Sequence, residues 1–516
     1  MLTPYAPEPY VDFNAEEPRA NMAAALALVG SKLGERYSIW LDGKPVSGGD
    51  SFASTSPADP KRIVGHLAKG NSDQADKAVR AAAEAFKSWC RVEPDIRARV
   101  LIKAAAIIRR RVYEFSAWEC FEQSKSWLEA YADVCEAIDF LEFYGREMMR
   151  LGGSHPTTPS SGEENEVRYI PMGVGVVVPP WNFPLAICAG MTSAALVTGN
   201  AVVLKPASTA AVIAAKFVEV LHEAGLPKNV LQFLPGPGGT IGNTLIDHPL
   251  TRFISFTGSR EVGLSVFERA AKVHPDQIWL KRTVLEMGGK DAIFVDETAD
   301  VEAAAEGVVA AAFGFQGQKC SACSRLIAHR EIYRDLLDRV VTKAKVLTVG
   351  DTVRHENYFM GAVIDKAAHL KMQEYIAIGR KEGRVALADG KVPDVGYFVP
   401  PTVIADVAPN ARIAQEEIFG PVLAVIPCKD FEEGLQIANG TEFGLTGAIF
   451  SRDRMRLERA RHEFHVGNLY LNRKCTGALV DVQPFGGFNM SGTDSKAGGR
   501  DYLQLFLQAK SITERW

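Results

Sequence analysis

Four short, uncharged runs constrain this chain most: Val174-Gly-Val-Val-Val178, Ala201-Val-Val-Leu204, Val230-Leu-Gln-Phe-Leu234 and Phe253-Ile-Ser-Phe256. Each is apolar, or nearly so, on both faces. A strand of that kind has to be covered on both sides, as parallel strands flanked by helices are. Helical runs of about a dozen residues separate them, and such strand–helix alternation predicts a doubly wound α/β sheet. Ala292-Ile-Phe-Val295, Leu326-Ile-Ala328 and Val422-Leu-Ala-Val-Ile426 predict a second α/β unit after about residue 286. At 516 residues the chain is too long for a single core.

Around these units the pattern is mostly helical. Residues 21–35 predict a short amphipathic helix. Asp73–Trp89, Pro94–Phe115 and Ser116–Leu151 predict three longer ones. Ile39-Trp-Leu-Asp-Gly43, followed by Val46 and Phe52, predicts an exposed hairpin. Residues 154–165 are rich in turn formers, and the tail from Leu503 to Trp516 alternates apolar and polar as an edge strand does. The segment from Tyr169 to Leu204 carries no charge, but prolines 179, 180 and 184 and Gly199-Asn200 break it, so it reads as strand, loop, helix, turn and strand rather than a membrane span. A net charge of −4 argues against nucleic acid as a partner. Eight scattered cysteines point to a reducing, cytoplasmic setting, and the N-terminus has neither the apolar core of a secretory signal nor the bias of a transit peptide. No second cysteine pair or histidine cluster supports a metal site.

Chemistry concentrates in a few loops. Cys320, in Gly317-Gln-Lys-Cys-Ser-Ala-Cys-Ser324, lies between an Ala-rich helical run (Val301 to Phe315) and a short buried strand (Arg325 to His329). That placement suits a nucleophilic thiolate; standing alone it suits an inert packed thiol as well. Pro179-Pro-Trp-Asn-Phe-Pro184 holds Asn182 stiffly, as a donor for an oxyanion would be held. Lys205, in Lys205-Pro-Ala-Ser208, suits a ribose or phosphate oxygen. The Gly-Ser pair of Phe256-Thr-Gly-Ser-Arg-Glu-Val-Gly263 opens a helix toward a pyrophosphate. Glu286, in Val284-Leu-Glu-Met-Gly-Gly-Lys290, is a candidate general base for water. No G-x-G-x-x-G fingerprint is present. Cys323 forms Cys-x-x-Cys with Cys320; a bystander thiol is the simplest reading.

These loops, together with Glu416-Glu-Ile-Phe-Gly-Pro421, occur in the order and spacing of the aldehyde dehydrogenase superfamily, which the chain resembles over nearly its whole length. The segments Gly314–Ser321, Glu463–Tyr470, Thr476–Ala478, Pro484–Phe488 and Ser491–Thr493 resemble the branch that oxidises L-glutamate γ-semialdehyde, formed from 1-pyrroline-5-carboxylate, to L-glutamate in proline degradation. The resemblance implies Cys320 as nucleophile, Glu286 as the base for deacylating water, and Asn182 with the Cys320 N–H as oxyanion hole. It implies that Val178, Pro180, Trp181, Lys205, Ser208, Gly258, Ser259, Val262, Glu417 and Phe419 hold NAD⁺. NADP⁺ stays open, because Ser208 stands where many NAD-preferring relatives carry Glu. Phe183 and Phe485 would flank the substrate's aliphatic chain, and Ser321, Gly477 and Ala478 would anchor its carboxylate. The implied organisation is a dinucleotide-binding domain (1–153 and 171–285), a catalytic domain (286–494) and a β oligomerisation flap (154–170 and 495–516). A dimer or dimer-based hexamer is expected, and receipt of the substrate from a proline dehydrogenase is compatible with this reading. The alternatives are another semialdehyde as substrate and a non-catalytic scaffold on the same fold.

Overall fold

In the computed structural model, which describes residues 3–46, 49–354 and 357–516, the β-branched runs form the middle of a seven-stranded sheet. Its order is Arg282–Glu286, Thr251–Thr257, Val174–Val178, Ala201–Leu204, Leu231–Phe233, Ile39–Leu41 and Lys44–Val46. The first five strands are parallel, Ile39–Leu41 runs against them, and Lys44–Val46 runs back antiparallel to Ile39–Leu41. Helices Ser72–Trp89, Ala186–Val197 and Ala211–Ala224 cover it, which is why these strands carry no charge. The second unit is another seven-stranded sheet: Arg384–Leu387, Thr402–Ala405, Val422–Cys428, Arg325–His329, Ala292–Val295, Thr446–Phe450 and Asn468–Leu471. Only its first strand runs antiparallel. Strand, loop, helix, turn and strand follow one another between 163 and 204 as expected, and among the described residues no helix is long and apolar enough to cross a membrane.

The tail does form an edge strand, Leu507–Arg515. It pairs antiparallel with Glu163–Pro171 from Leu507↔Pro171 to Arg515↔Glu163, and His155–Pro156 adds a third strand. Just before it, Tyr502, Leu503 and Phe506 insert into the core of the first unit, where the Asn200 side chain donates to the Phe506 carbonyl (2.8 Å).

Three expectations need correction. The first helix is Glu16–Gly30 rather than 21–35, because the chain turns at Gly34 (φ 82°) and enters strand Glu35–Tyr37. The hairpin is not an exposed one. Asp42 and Gly43, both left-handed, make the tight turn, but Trp40 pairs with Phe233 and so adds the hairpin to the large sheet, while Phe52 belongs to a separate strand, Ser51–Ser56. The helices do not run 94–115 and 116–151. They are Pro94–Arg110, Val112–Gln123 and Trp127–Leu151. The second break falls at Ser124, left-handed at φ 55°, whose carbonyl accepts from the Gln316 amide (3.1 Å) and whose hydroxyl accepts from the Ala362 N–H (3.0 Å). Distant chain therefore holds a conformation that the local sequence does not announce.

Candidate active site

Cys320 lies where two cavities meet. The first sheet contributes the loops at the carboxyl ends of its strands: Pro179–Pro184, Lys205-Pro206, Gly258-Ser259 and Met287-Gly288. The second sheet contributes loops that precede strands, with Cys320 ahead of Arg325–His329 and Phe419 ahead of Val422–Cys428. Glycines make this junction possible. A Cβ on Gly289 would lie 2.6 Å from the Cys320 carbonyl oxygen, and one on Gly288 would overlap the Glu417 carboxylate at 2.2 Å. Gly317 (φ 65°) lets the cysteine loop approach Gly420 so closely that a Cβ would sit 2.4 Å from its carbonyl oxygen. Phe315 and Gln316, both left-handed, turn the chain from helix Val301–Phe313 into this loop.

One cavity, the cleft between the sheets, is lined by Val178, Pro180, Trp181, Lys205, Gly258, Ser259, Val262, Glu417 and Phe419. Ser208 is exposed and outside this lining, which Ala207 reaches instead. Lys205 is buried. Its ammonium donates only to the neighbouring Pro206 carbonyl (3.2 Å), and burial pulls its pKa down to about 8. A buried cation without a carboxylate partner wants oxygen ligands. The Glu417 carboxylate lines the same cleft, accepting from the Gly289 N–H (3.0 Å) while burial raises its pKa; its neighbour Glu416 is spent on Arg412 at the surface. Ser259 caps helix Arg260–Ala271 by accepting from the Val262 N–H, so the first-turn N–H groups open onto the cleft. Trp181 and Phe419 meet edge-on at 5.6 Å and join the two units. A dinucleotide fits this donor set: hydroxyls at Lys205 and Glu417, phosphate at the helix start, a flat ring between apolar walls.

The other cavity is a chamber lined by Phe183, Ser321, Gly477, Ala478 and Phe485 together with Glu286. Gly477 is left-handed (φ 76°), and among the described residues neither its N–H nor that of Ala478 meets a protein acceptor. Two free N–H groups in such a turn form an anion-binding nest. Asn182, 4% exposed, donates from Nδ2 to the Gln318 carbonyl (3.1 Å), which holds the amide beside Cys320 with its second N–H uncommitted. Burial and the nearby Glu286, Asp291 and Glu417 carboxylates push the Cys320 thiol well above its ordinary value, while the Ser321 N–H favours the thiolate. Glu286 ends strand Arg282–Glu286. Its oxygens accept from the Gly487 N–H (3.1 Å) and the Ser495 hydroxyl (3.0 Å), and burial nevertheless lifts the carboxyl to about 8. Cys323 lines neither cavity. It is buried with its thiol on the Arg325 carbonyl, and all eight cysteines are free.

Several lining residues escape motif reasoning. Glu129, Asp133, Glu136, Phe140 and Tyr144 line the chamber from one face of helix Trp127–Leu151, where their spacing of three and four is the only sign they carry. Lys319 joins them by pairing with Glu129 at 2.7 Å. Ser495 signals nothing locally, and Tyr10 comes from the N-terminal arm.

A nucleophile-bearing loop between a dinucleotide cleft and an aldehyde-sized chamber, on two facing α/β sheets, defines an aldehyde dehydrogenase. The aldehyde dehydrogenase family model matches residues 44–512, and the chain belongs to that family. A 1-pyrroline-5-carboxylate dehydrogenase of Geobacillus kaustophilus (strain HTA426) is 57% identical over 515 residues, with both chains fully covered. The solved 1-pyrroline-5-carboxylate dehydrogenase from Thermus with bound NAD is 49% identical at a TM-score of 0.97, again covering both chains fully. Proline utilization A from Bdellovibrio bacteriovorus is 42% identical at a TM-score of 0.97; the match spans 99% of this chain and 53% of that one.

Proposed function

We propose that this chain oxidises L-glutamate γ-semialdehyde, the open form of 1-pyrroline-5-carboxylate, to L-glutamate with NAD⁺ in proline degradation. The observation that carries the substrate choice is the pair of unpaired N–H groups at Gly477 and Ala478 in the chamber of Cys320, with the Ser321 hydroxyl beside them. A carboxylate at the far end of a short aliphatic chain satisfies them, and Glu136 and Glu129 on the facing helix suit an α-ammonium. The Thermus and Geobacillus relatives bear the corresponding name, which supports the reading.

The roles then follow from the geometry. Cys320 gives up its thiol proton to water in the chamber, and the thiolate, favoured by the Ser321 N–H, adds through Sγ to the aldehyde carbon; the oxygen that gains charge meets the Cys320 N–H and the free N–H of Asn182. NAD⁺, bound by Lys205, Glu417 and the start of helix Arg260–Ala271, supplies the hydride acceptor. The thioester left on Cys320 is hydrolysed by a water that gives its proton to Glu286, and the thiolate leaves. Removing the amide donor with Asn182→Ala is expected to lower kcat about 10²–10³-fold while KM for NAD⁺ holds, read by steady-state kinetics. Glu286 works only in its ionised form. Because its carboxyl is lifted to about 8, kcat should rise as pH is raised through that value. In Glu286→Gln that limb should vanish, and stopped flow should show a burst of about one NADH per site followed by slow turnover; full-rate turnover would remove Glu286 from this role.

We assign the cofactor to the unit of residues 1–153 and 171–285, the chemistry to 286–494, and self-association to a flap of 154–170 and 495–516. In a single chain the flap strand Leu507–Arg515 is largely exposed and Glu163–Pro171 is half-buried, which supports a dimer or dimer-based hexamer. Eight unpaired cysteines support a cytoplasmic setting. Transfer of substrate from a proline dehydrogenase is consistent with the match to about half of a proline utilization A chain. The discriminating experiment is NADH formation with 1-pyrroline-5-carboxylate, succinate semialdehyde, betaine aldehyde and propanal. A preference for betaine aldehyde or propanal, which carry no carboxylate, would overturn the anchor assignment, and a preference for succinate semialdehyde would overturn the choice of substrate.

A further inference from the structure

The chamber in front of Cys320 has one wall that comes from neither α/β unit's loops. The arm formed by residues 3–12 has no helix or strand, yet it is pinned on both sides of Tyr10. On one side the Tyr5 hydroxyl donates to the Val480 carbonyl (3.3 Å), two residues beyond Ala478, and the Glu8 N–H donates to Asp139 (2.9 Å). Arg109 holds the Glu8 carboxylate at 2.6 Å. On the other side Phe13 is 3% exposed, its ring edge-on to Trp127 and Tyr131 at 5.8 Å. Between these anchors Tyr10 lines the chamber with Glu136, Ser321 and Ala478 while remaining 51% exposed, which places it at the solvent edge. Partial burial of the ring, and then the nearby Glu136 carboxyl, raise the phenol's pKa. Among the described residues the hydroxyl has no hydrogen-bond partner in the protein, and the residue stands at the solvent edge of the chamber.

We propose that Tyr10 is a specificity-determining residue: its ring closes the outer end of the chamber, and its hydroxyl donates to the charged head of the substrate. This rests on the reading of the chamber as the site of a semialdehyde with a carboxylate at its far end. The anchors on either side act to hold the ring; Tyr10 itself meets the substrate. A short aldehyde without such a head would leave both contacts unused, so the arm raises the preference for the longer, polar substrate.

The test compares kcat/KM for 1-pyrroline-5-carboxylate with that for propanal in the wild type, Tyr10→Phe and Tyr10→Ala. Loss of a hydrogen bond to a charged group should lower the ratio about tenfold in Tyr10→Phe. Tyr10→Ala should lower it further, with the loss sitting in KM for 1-pyrroline-5-carboxylate; KM for NAD⁺ in the same assays serves as control. A wild-type ratio in Tyr10→Ala would overturn the proposal, and a wild-type ratio in Tyr10→Phe would overturn the part given to the hydroxyl. A wild type that does not prefer 1-pyrroline-5-carboxylate over propanal would overturn the substrate reading beneath it, so the two failures look different.

Discussion

Cys320→Ala is expected to stop aldehyde oxidation, with kcat falling on the order of 10⁵-fold while the protein stays folded and still binds NAD⁺. The effect is large because the thiol, where chamber and cleft meet, is the group that forms the covalent intermediate. Of the acidic groups near it in the chamber, burial lifts Glu286 to about 8 and Glu129 is paired with Lys319. The Ala side chain leaves the loop intact, since what shapes it is the Gly317 turn and the close approach of Gly289 to the Cys320 carbonyl, not the sulfur. Asn182 keeps its bond to Gln318, and the cleft, whose holding groups are Lys205, Glu417 and the helix start, is untouched. Single-turnover kinetics with NADH absorbance and NAD⁺ binding by calorimetry check both halves. Wild-type turnover in the variant would remove Cys320 as nucleophile; lost NAD⁺ binding would show that the loop had collapsed.

The second large effect is on stability. Lys125→Met is expected to cost about 3–5 kcal/mol. Lys125 sits 1% exposed in the three-residue break between helices Val112–Gln123 and Trp127–Leu151. Its ammonium pairs closely with Asp133 and lies 3.2 Å from Glu119, and it stands over the rings of Phe183 (4.7 Å) and Phe315 (4.9 Å). Burial raises the Glu119 carboxyl well above its ordinary value and raises Asp133 too, while the two carboxyls together hold the Lys125 ammonium in its charged form. Removing the cation leaves Asp133 buried and unpaired, while its other oxygen still holds the Ala186 N–H at the start of a helix. The same change loosens Phe183 in the chamber wall and Phe315 at the entrance to the cysteine loop, so kcat should fall as well. Urea unfolding and kinetics measure the two. Lys125→Met combined with Asp133→Asn should recover part of the stability, because no uncompensated charge remains. A double variant no better than the single one would show that the pair is not the source.

Local sequence determines much of this protein. Strands such as Val174–Val178, Ala201–Leu204 and Ala292–Val295 are legible because continuous uncharged β-branched runs are stable only when buried on both faces. Asn182 and Lys205 stand out because stiff loops at strand ends leave a distinct pattern of residues, whereas Cys320 alone also suits an inert thiol and Glu417 is reached only through the family resemblance. Tertiary structure decides the rest. The break at Ser124 contains no Gly or Pro and exists because Gln316 and Ala362, some two hundred residues away, hydrogen-bond to it. The hairpin at Ile39–Val46 is visible in its turn, but its place on the large sheet depends on Phe233. The acidic face of helix Trp127–Leu151 and the position of Tyr10 over the chamber are likewise invisible along the chain. An acidic stripe on a helix is ordinarily a solvated one, and an irregular arm carries no periodicity. Only the packing of two sheets and an N-terminal strap around one cavity turns those residues inward.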